Sequence, residues 1–134
     1  MKNKQMQQKL IIDTDPGIDD AMAIHYAFAH PGLDVLGLTT IFGNVFVPQA
    51  TRNALLLSEQ AHYWVDVAEG APQPLMQSLN PPSHHVHGAE GFGDVPVKQP
   101  CGTPVEMSAV DYIVKTCRLH SGEVILCPVG PLTN

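Results

Sequence analysis

Short apolar runs and longer amphipathic stretches alternate along this chain. A short apolar run bounded by turn residues predicts a buried strand, and apolar residues that recur every three or four positions predict a helix. We predict strands at residues 10–12, 33–41, 63–68 and 123–128. We predict helices at residues 47–61 and 105–120, and another from Ala21 onward whose first turn holds Asp19 and Asp20.

This order of elements predicts the fold class. Strands that alternate with helices pair in parallel through right-handed crossovers, and helices must cover both faces of such a sheet. We therefore expect an α/β fold with a mostly parallel open sheet and flanking helices, in which the last strand lacks a return helix. The buried side of the helix at residues 105–120 is predicted to carry Met107, Val110, Ile113, Val114 and Cys117.

Residues 70–104 differ in composition from the rest of the chain. They hold seven of its twelve prolines and five of its eleven glycines, too many for a helix or a central strand. A loop this long inside a compact domain is usually functional or disordered. It contains His84, His85 and His87, whose spacing indicates zinc only weakly because no other zinc-ligand pattern accompanies it.

The clearest chemical signal is a cluster of four carboxylates, Asp13, Asp15, Asp19 and Asp20, where an apolar run ends. Acids in the first turn of a helix interact favourably with its dipole, which explains Asp19 and Asp20 without a ligand. Asp13 and Asp15 are not explained in this way, because carboxylates are costly at the end of a buried strand. Four ionised groups this close together repel one another unless a hard, oxygen-seeking cation neutralises them. In open parallel sheets, ligands bind beyond the carboxyl ends of the strands, where these acids are expected.

The segment Asp13-Thr14-Asp15-Pro16-Gly17 resembles the amino-terminal signature of the inosine-uridine type nucleoside hydrolases. Further segments resemble that family in the same order, at residues 36–45, 51–54, 67–71, 85–93 and 128–134. The resemblance implies a Rossmann-like nucleoside hydrolase fold, of which residues 1–134 are the amino-terminal part of a single domain. It also implies that the long loop at residues 70–104 lies near the active site.

The implied activity is Ca²⁺-dependent hydrolysis of the N-glycosidic bond of ribonucleosides to ribose and free base, in purine or pyrimidine salvage. Such a reaction has an oxocarbenium-like transition state that is attacked by water. By the resemblance, Asp15 is the catalytic base and also a metal ligand. Asp20 and the backbone carbonyl of Val129 are the other implied metal ligands.

The resemblance also implies substrate contacts. Asp19 and Asn44 match residues that bind the ribose hydroxyls, and His87 lies beside the substrate. Asp13 supports the other carboxylates through hydrogen bonds. The residues alone leave a second interpretation of Asn44, a turn residue that follows Gly43.

Two alternatives remain open at this stage. Family members are roughly twice as long as this chain, and their carboxyl-terminal aspartate and histidine have no counterpart here, so the chain is also interpretable as a truncated, inactive remnant. The second alternative is a haloacid-dehalogenase-like phosphohydrolase, whose strand ends in Asp-x-Asp with a nucleophilic first aspartate. Asp13 and Asp15 fit that pattern, but Gly17 stands where Thr or Val belongs.

Charge and hydropathy narrow the range of partners. The formal net charge is −6, and no basic patch interleaved with aromatic residues is present, so nucleic acid is not an expected partner. No run of about 18 apolar residues occurs, so we expect no membrane span. Residues 1–9 do not read as a secretory signal, which predicts a cytoplasmic protein. Family analogy predicts a homo-oligomer, either a dimer or a tetramer.

Overall fold

The structure is a computed structural model, and it describes residues 7–134. The strands are β1 (Gln8–Thr14), β2 (Leu33–Thr40), β3 (Asp66–Ala68) and β4 (Val124–Pro128). The helices are α1 (Ile18–Ala29), α2 (Val47–Gln60), α3 (His84–His87) and α4 (Ala109–Leu119). None of the helices among these residues is long and apolar enough to cross a membrane.

The four strands form one parallel sheet in the order β3-β2-β1-β4. The register pairs Asp13 with Thr39 of β2 on one side and with Pro128 of β4 on the other. Because the strands are parallel, their carboxyl ends lie at one edge of the sheet. This architecture confirms the predicted fold class, an open parallel sheet with flanking helices.

Two apolar layers cover the two faces of the sheet. Leu10 and Ile12 of β1 belong to the larger core, together with buried residues of α1 and α2 such as Ile24 and Ala54. Ile11 points to the other face because side chains alternate along a strand, and it packs with Tyr112 of α4. The central strand β1 is therefore buried on both faces, and Asp13 and Thr14 at its carboxyl end are buried with it.

The boundaries of β2, α2 and β4 agree with the predicted ones to within one residue. The third strand is shorter than predicted, since only Asp66–Ala68 is extended and paired with β2. The loop at residues 70–104 contains the short helix α3, which the sequence did not indicate.

The predicted helix at residues 105–120 was wrong at its start. Val105 pairs with Ala68 at the edge of the sheet, and its N–H donates to the carbonyl of Val67 at 2.9 Å. The helix begins at Ala109 instead, because Ser108 caps it by accepting a hydrogen bond from the N–H of Asp111 at 3.1 Å.

The predicted buried face of α4 was also partly wrong. Val110 and Val114 are 48% and 43% exposed. Ala109 and Tyr112 are the residues that α4 buries, and the Tyr112 hydroxyl donates to the carbonyl of Leu36 at 2.9 Å. Tyr112 was left out of the predicted apolar face because its side chain ends in a hydroxyl. A tyrosine is nevertheless readily buried when its hydroxyl finds an acceptor.

Candidate active site

Asp13 lies within β1, one residue before its end, and is 3% exposed. Its Oδ1 accepts hydrogen bonds from Thr39 Oγ1 at 2.6 Å and from Asn134 Nδ2 at 2.8 Å. Burial raises the pKa of Asp13, and these two hydrogen bonds oppose that rise. Asp13 is thus fixed between β2 and the last residue of the chain.

Asp15 follows directly after β1 and is 4% exposed. Its Oδ2 accepts a hydrogen bond from the N–H of Asn44 at 2.6 Å. Its Oδ1 is buried and has no hydrogen-bond partner among residues 7–134. A buried carboxylate oxygen without a partner is costly, so this atom marks the place where a proton, a cation or a ligand is needed.

Two glycines make room for the Asp15 carboxylate. A Cβ at Gly43 would collide with Asp15 Oδ2, and a Cβ at Gly130 would lie 2.9 Å from Asp15 Oδ1. Gly130 follows Val129, whose N–H donates to the carbonyl of Asp13 at 2.8 Å. The backbone at Val129–Gly130 therefore lies next to the unpartnered oxygen of Asp15.

The proton affinity of Asp15 is strongly perturbed. The pKa of Asp15 is raised to about 7, and burial is the largest cause. The hydrogen bond from the Asn44 N–H opposes this rise, and the negative charges of Asp20 and Asp19 contribute to it. Without a cation, the buried carboxylate of Asp15 therefore holds a proton up to near neutral pH, which indicates that this position needs a positive partner.

Asp20 lies in the first turn of α1 and is 4% exposed. Its Oδ1 accepts from Thr14 Oγ1 at 2.7 Å, and its Oδ2 accepts from Asn44 Nδ2 at 2.9 Å and from the N–H of Gly17 at 3.2 Å. The bond to Gly17 caps the amino end of α1 in place of the side chain that glycine lacks. Asn44 contacts both carboxylates, Asp15 through its backbone and Asp20 through its side chain.

Asp19 and His87 lie on the solvent side of this group. The Asp19 side chain is 82% exposed, whereas His87 in α3 is buried. His87 Nδ1 accepts from the N–H of Ile18 at 3.2 Å and lies 3.7 Å from Asp19 Oδ1. A nitrogen that accepts a hydrogen bond carries no proton, so this geometry describes neutral His87 with its proton on Nε2.

The other histidines of the loop are not part of this group. His84 and His85 are exposed on α3. No group of three or more His, Cys, Asp or Glu side chains within residues 7–134 is arranged to hold a metal ion. The zinc interpretation of the loop therefore has no support in the described part of the chain.

A hard cation fits one part of this site. Ca²⁺ takes about six to eight oxygen ligands from carboxylates, backbone carbonyls and water. Asp15 offers a free buried oxygen, and Asp20 lies close enough to share Asn44 with it. Two carboxylates supply only a fraction of the ligands, so the rest must be backbone oxygens, water or groups outside residues 7–134.

Sequence reasoning gave no role to two residues of the site. Asn134 connects Asp13, the carbonyl of Thr40 and the N–H of Ala71. Asn53 of α2 is fully buried and donates to two loop carbonyls. A signal for Asn53 was available, because it lies at helical spacing from the apolar Ala50 and from Leu57, on the buried stripe of α2.

Comparison with known proteins identifies the family. The model of the family described as inosine-uridine preferring nucleoside hydrolase matches residues 10–134. The chain belongs to this nucleoside hydrolase family. This membership confirms the resemblance found in the sequence and decides against the haloacid-dehalogenase-like alternative.

Relatives of this nucleoside hydrolase chain include uridine nucleosidase 1 of Arabidopsis thaliana, which is 50% identical over 128 residues, 95% of this chain and 38% of that protein. A solved plant nucleoside hydrolase has a TM-score of 0.89 at 44% identity, and the match covers 94% of this chain and 40% of the plant enzyme. A purine-preferring ribonucleoside hydrolase from Gardnerella vaginalis has a TM-score of 0.89 at 33% identity, with 94% of this chain and 41% of that chain covered.

The chain thus spans about two fifths of the length of the relatives that it matches. The match includes every element that positions the carboxylates, from β1 to the residues after β4. The relatives differ in the substrate that their names specify, uridine in one and purine ribonucleosides in another.

Proposed function

We propose that this chain supplies the water-activating half of a Ca²⁺-dependent ribonucleoside hydrolase. The observation that carries the proposal is Asp15, a buried carboxylate with one hydrogen-bonded and one unpartnered oxygen. Its place at the carboxyl end of a parallel strand is the usual position for a ligand site in this fold class.

In the proposed reaction, Asp15 Oδ1 takes a proton from water as the water oxygen bonds to the anomeric carbon of the ribose. The bond between that carbon and the base nitrogen breaks, its electron pair goes to the base, and the base is released after it takes up a proton from solvent. Asp15 then gives its own proton back to solvent. The products are ribose and free base. The hydrogen bond from the Asn44 N–H holds Asp15 Oδ2, which leaves the lone pairs of Oδ1 for the cation and for the proton of the water.

Asp15, Asp20 and the backbone carbonyl of Val129 are the proposed holders of Ca²⁺. When bound, the cation neutralises the clustered carboxylates and lowers the pKa of a water molecule. The hydrogen bonds from Thr14 and Asn44 fix the orientation of Asp20. Asp13 supports the proposed cation site through its backbone, because its carbonyl accepts a hydrogen bond from the Val129 N–H.

Substrate contacts are proposed for Asp19, Asn44 and His87. The exposed carboxylate of Asp19 is free to accept hydrogen bonds from ribose hydroxyls. The Asn44 side chain already donates to Asp20, so its carbonyl oxygen is the atom left for a hydroxyl. The neutral His87 offers its Nε2–H as a donor, and the 70–104 loop that carries it is proposed to lie over the substrate.

The wider role is proposed from the family alone. Purine or pyrimidine nucleoside salvage in the cytoplasm, by a dimer or tetramer, follows from the same resemblance. Because the chain spans about two fifths of its relatives, catalysis by residues 1–134 alone is a separate matter from catalysis by a protein that contains them.

The test is base release from uridine and inosine, followed by chromatography, with the protein first stripped by a chelator and then supplied with Ca²⁺. We expect hydrolysis that disappears on chelation and returns with Ca²⁺. An unchanged rate after complete removal of divalent cations would overturn the Ca²⁺ dependence, and release of phosphate from p-nitrophenyl phosphate without nucleoside cleavage would overturn the reaction type.

A further inference from the structure

Asn53 in α2 is fully buried, and its whole amide is used in hydrogen bonds. Its Nδ2 donates to the backbone carbonyls of Pro16 at 3.1 Å and of Glu90 at 2.8 Å. Its Oδ1 accepts from Arg52, at 3.1 Å from Nε and 2.9 Å from Nη2. Because the guanidinium can only donate, Arg52 fixes the orientation of the amide and aims both of its N–H groups at the two carbonyls.

The two carbonyls belong to the two segments that meet at the site. Pro16 lies in the turn between Asp15 and α1, and Glu90 lies three residues after His87; each is 37 residues from Asn53 in sequence. The segments approach closely here. A Cβ at Gly91 would lie 2.7 Å from Asn53 Nδ2 and 2.9 Å from the Pro16 carbonyl oxygen.

Further side chains of α2 hold the same loop. Arg52 Nη1 lies 2.5 Å from the Glu90 carboxylate, and Arg52 Nη2 donates to the Glu90 carbonyl at 3.1 Å. Gln49 Nε2 donates to the carbonyl of Ala89 at 3.0 Å. The loop after α3 is therefore bound to one face of α2 through its backbone, which makes its position independent of most of its own side chains.

His87 joins the same two segments at a second point, through the hydrogen bond that its Nδ1 accepts from the Ile18 N–H. We propose that Asn53 is a positioning residue, which clamps the Pro16 turn to the Glu90 backbone and thereby holds His87 against the start of α1 as the Nε2–H tautomer. This inference rests on the proposed function for its purpose, which is to present a hydrogen-bond donor to the nucleoside. The geometry that it concerns exists without substrate.

The experiment compares wild-type protein with Asn53→Ala by ¹⁵N NMR of the histidine side chains and by hydrogen exchange of the Ile18 amide. We expect His87 in the wild type to show a single tautomer with an unprotonated Nδ1. In Asn53→Ala, we expect a mixture of tautomers and an Ile18 amide that exchanges about tenfold faster. Glu123→Gln is the control, since the Lys9–Glu123 ion pair lies at the amino end of β1, away from both clamped segments.

An unchanged His87 tautomer and unchanged Ile18 exchange in a folded Asn53→Ala protein would overturn the proposal. If that variant does not fold, Arg52→Lys replaces it, because lysine keeps the charge but cannot make both bonds to Asn53 Oδ1. The same two changes are then expected at a smaller size, about threefold in exchange, and their absence overturns the proposal. Both measurements are made without nucleoside, so a failure to detect hydrolysis leaves their outcome intact.

Discussion

The carboxyl end of β1 and the outer surface of α4 and β4 differ in which side chains they bury. The first buries carboxylates, and the second leaves apolar side chains exposed. At the end of β1, Asp13, Asp15 and Asp20 are each no more than 4% exposed and are held by hydrogen bonds from several segments. On the outer surface, large apolar side chains face solvent, with Ile125 at 47% and Leu119 at 74% exposed.

The difference shows that hydrogen bonding determines the structure of the first region and that hydrophobic contact is left unsatisfied at the second. Burying carboxylates is costly, so a fold retains them only with hydrogen bonds and close-packed glycines arranged around them, as at the end of β1. Exposed apolar residues impose no such arrangement and favour association instead. Changes at the first region are therefore expected to alter chemistry and stability together, and changes at the second to alter association.

The largest effect is expected for Asp15→Asn. The amide keeps the shape of the side chain but cannot take a proton from water, so turnover in catalytically competent protein should fall by at least about 10³-fold. The fold, measured by circular dichroism, should be retained. The control is Asp94→Asn at an exposed loop position; wild-type rates from Asp15→Asn would refute the assignment of Asp15 as the base.

Gly43→Ala tests the close packing around Asp15. The new Cβ would collide with Asp15 Oδ2, so Asp15 or the backbone must move. We expect the free energy of unfolding to fall by about 1–3 kcal/mol, measured in urea, with weaker Ca²⁺ binding by calorimetry. Gly102→Ala is the control, because its Cβ would meet only ordinary contacts of 3.4 and 3.6 Å; equal losses in both variants would contradict the account.

A pH titration of stability, with divalent cations removed by a chelator, tests the buried carboxylate. Because burial raises the pKa of Asp15 to about 7, the folded state holds this proton more tightly than the unfolded state does. The stabilisation that comes from this tighter binding of the Asp15 proton is complete below about pH 4 and is lost as the pH rises through about 7. The wild-type Tm should fall by on the order of 5 °C over this range.

Asp15→Asn is the comparison for that titration. The variant should lose less stability between about pH 4 and pH 7 than the wild type does. Part of the slope should remain, because burial also raises the pKa of Asp13. Parallel curves for the two proteins would show that Asp15 does not carry the effect.

The smallest effect concerns the other region. Ile125→Lys places a charge on β4, an edge strand of the sheet, and should weaken self-association of the 134-residue chain by roughly tenfold in sedimentation experiments. Val95→Lys changes an apolar residue of the loop that is 65% exposed and should have little effect. A similar loss in both variants would show that general charge, and not the β4 surface, controls association.

The same contrast explains what could be predicted from sequence. The strand, turn and helix around Asp13–Asp20 were predictable because local signals agree: an apolar run, Pro16-Gly17, then acids in a first helical turn. The start of α4 was not, because Val105 pairs with Ala68, which is far away in sequence. The Ser108 cap, in contrast, is a local signal, since its partner Asp111 lies only three residues further along the chain.

Within the site, the acidic cluster could be recognised from sequence but its connections could not. Asn44 was predicted as a residue that contacts ribose, and the structure adds that it joins Asp15 to Asp20. Asn53 links segments 37 residues away on either side, a relation that no local pattern records. Hydrogen-bond partners of this kind follow only from the three-dimensional arrangement.

Crystals of the protein grown with Ca²⁺, with data that record the anomalous signal of calcium, give the most direct test of the proposed calcium site. We expect a peak in contact with the carboxylates of Asp15 and Asp20, beside the Val129 backbone. An absence of calcium at these carboxylates, in crystals of protein that still cleaves nucleosides, would contradict it.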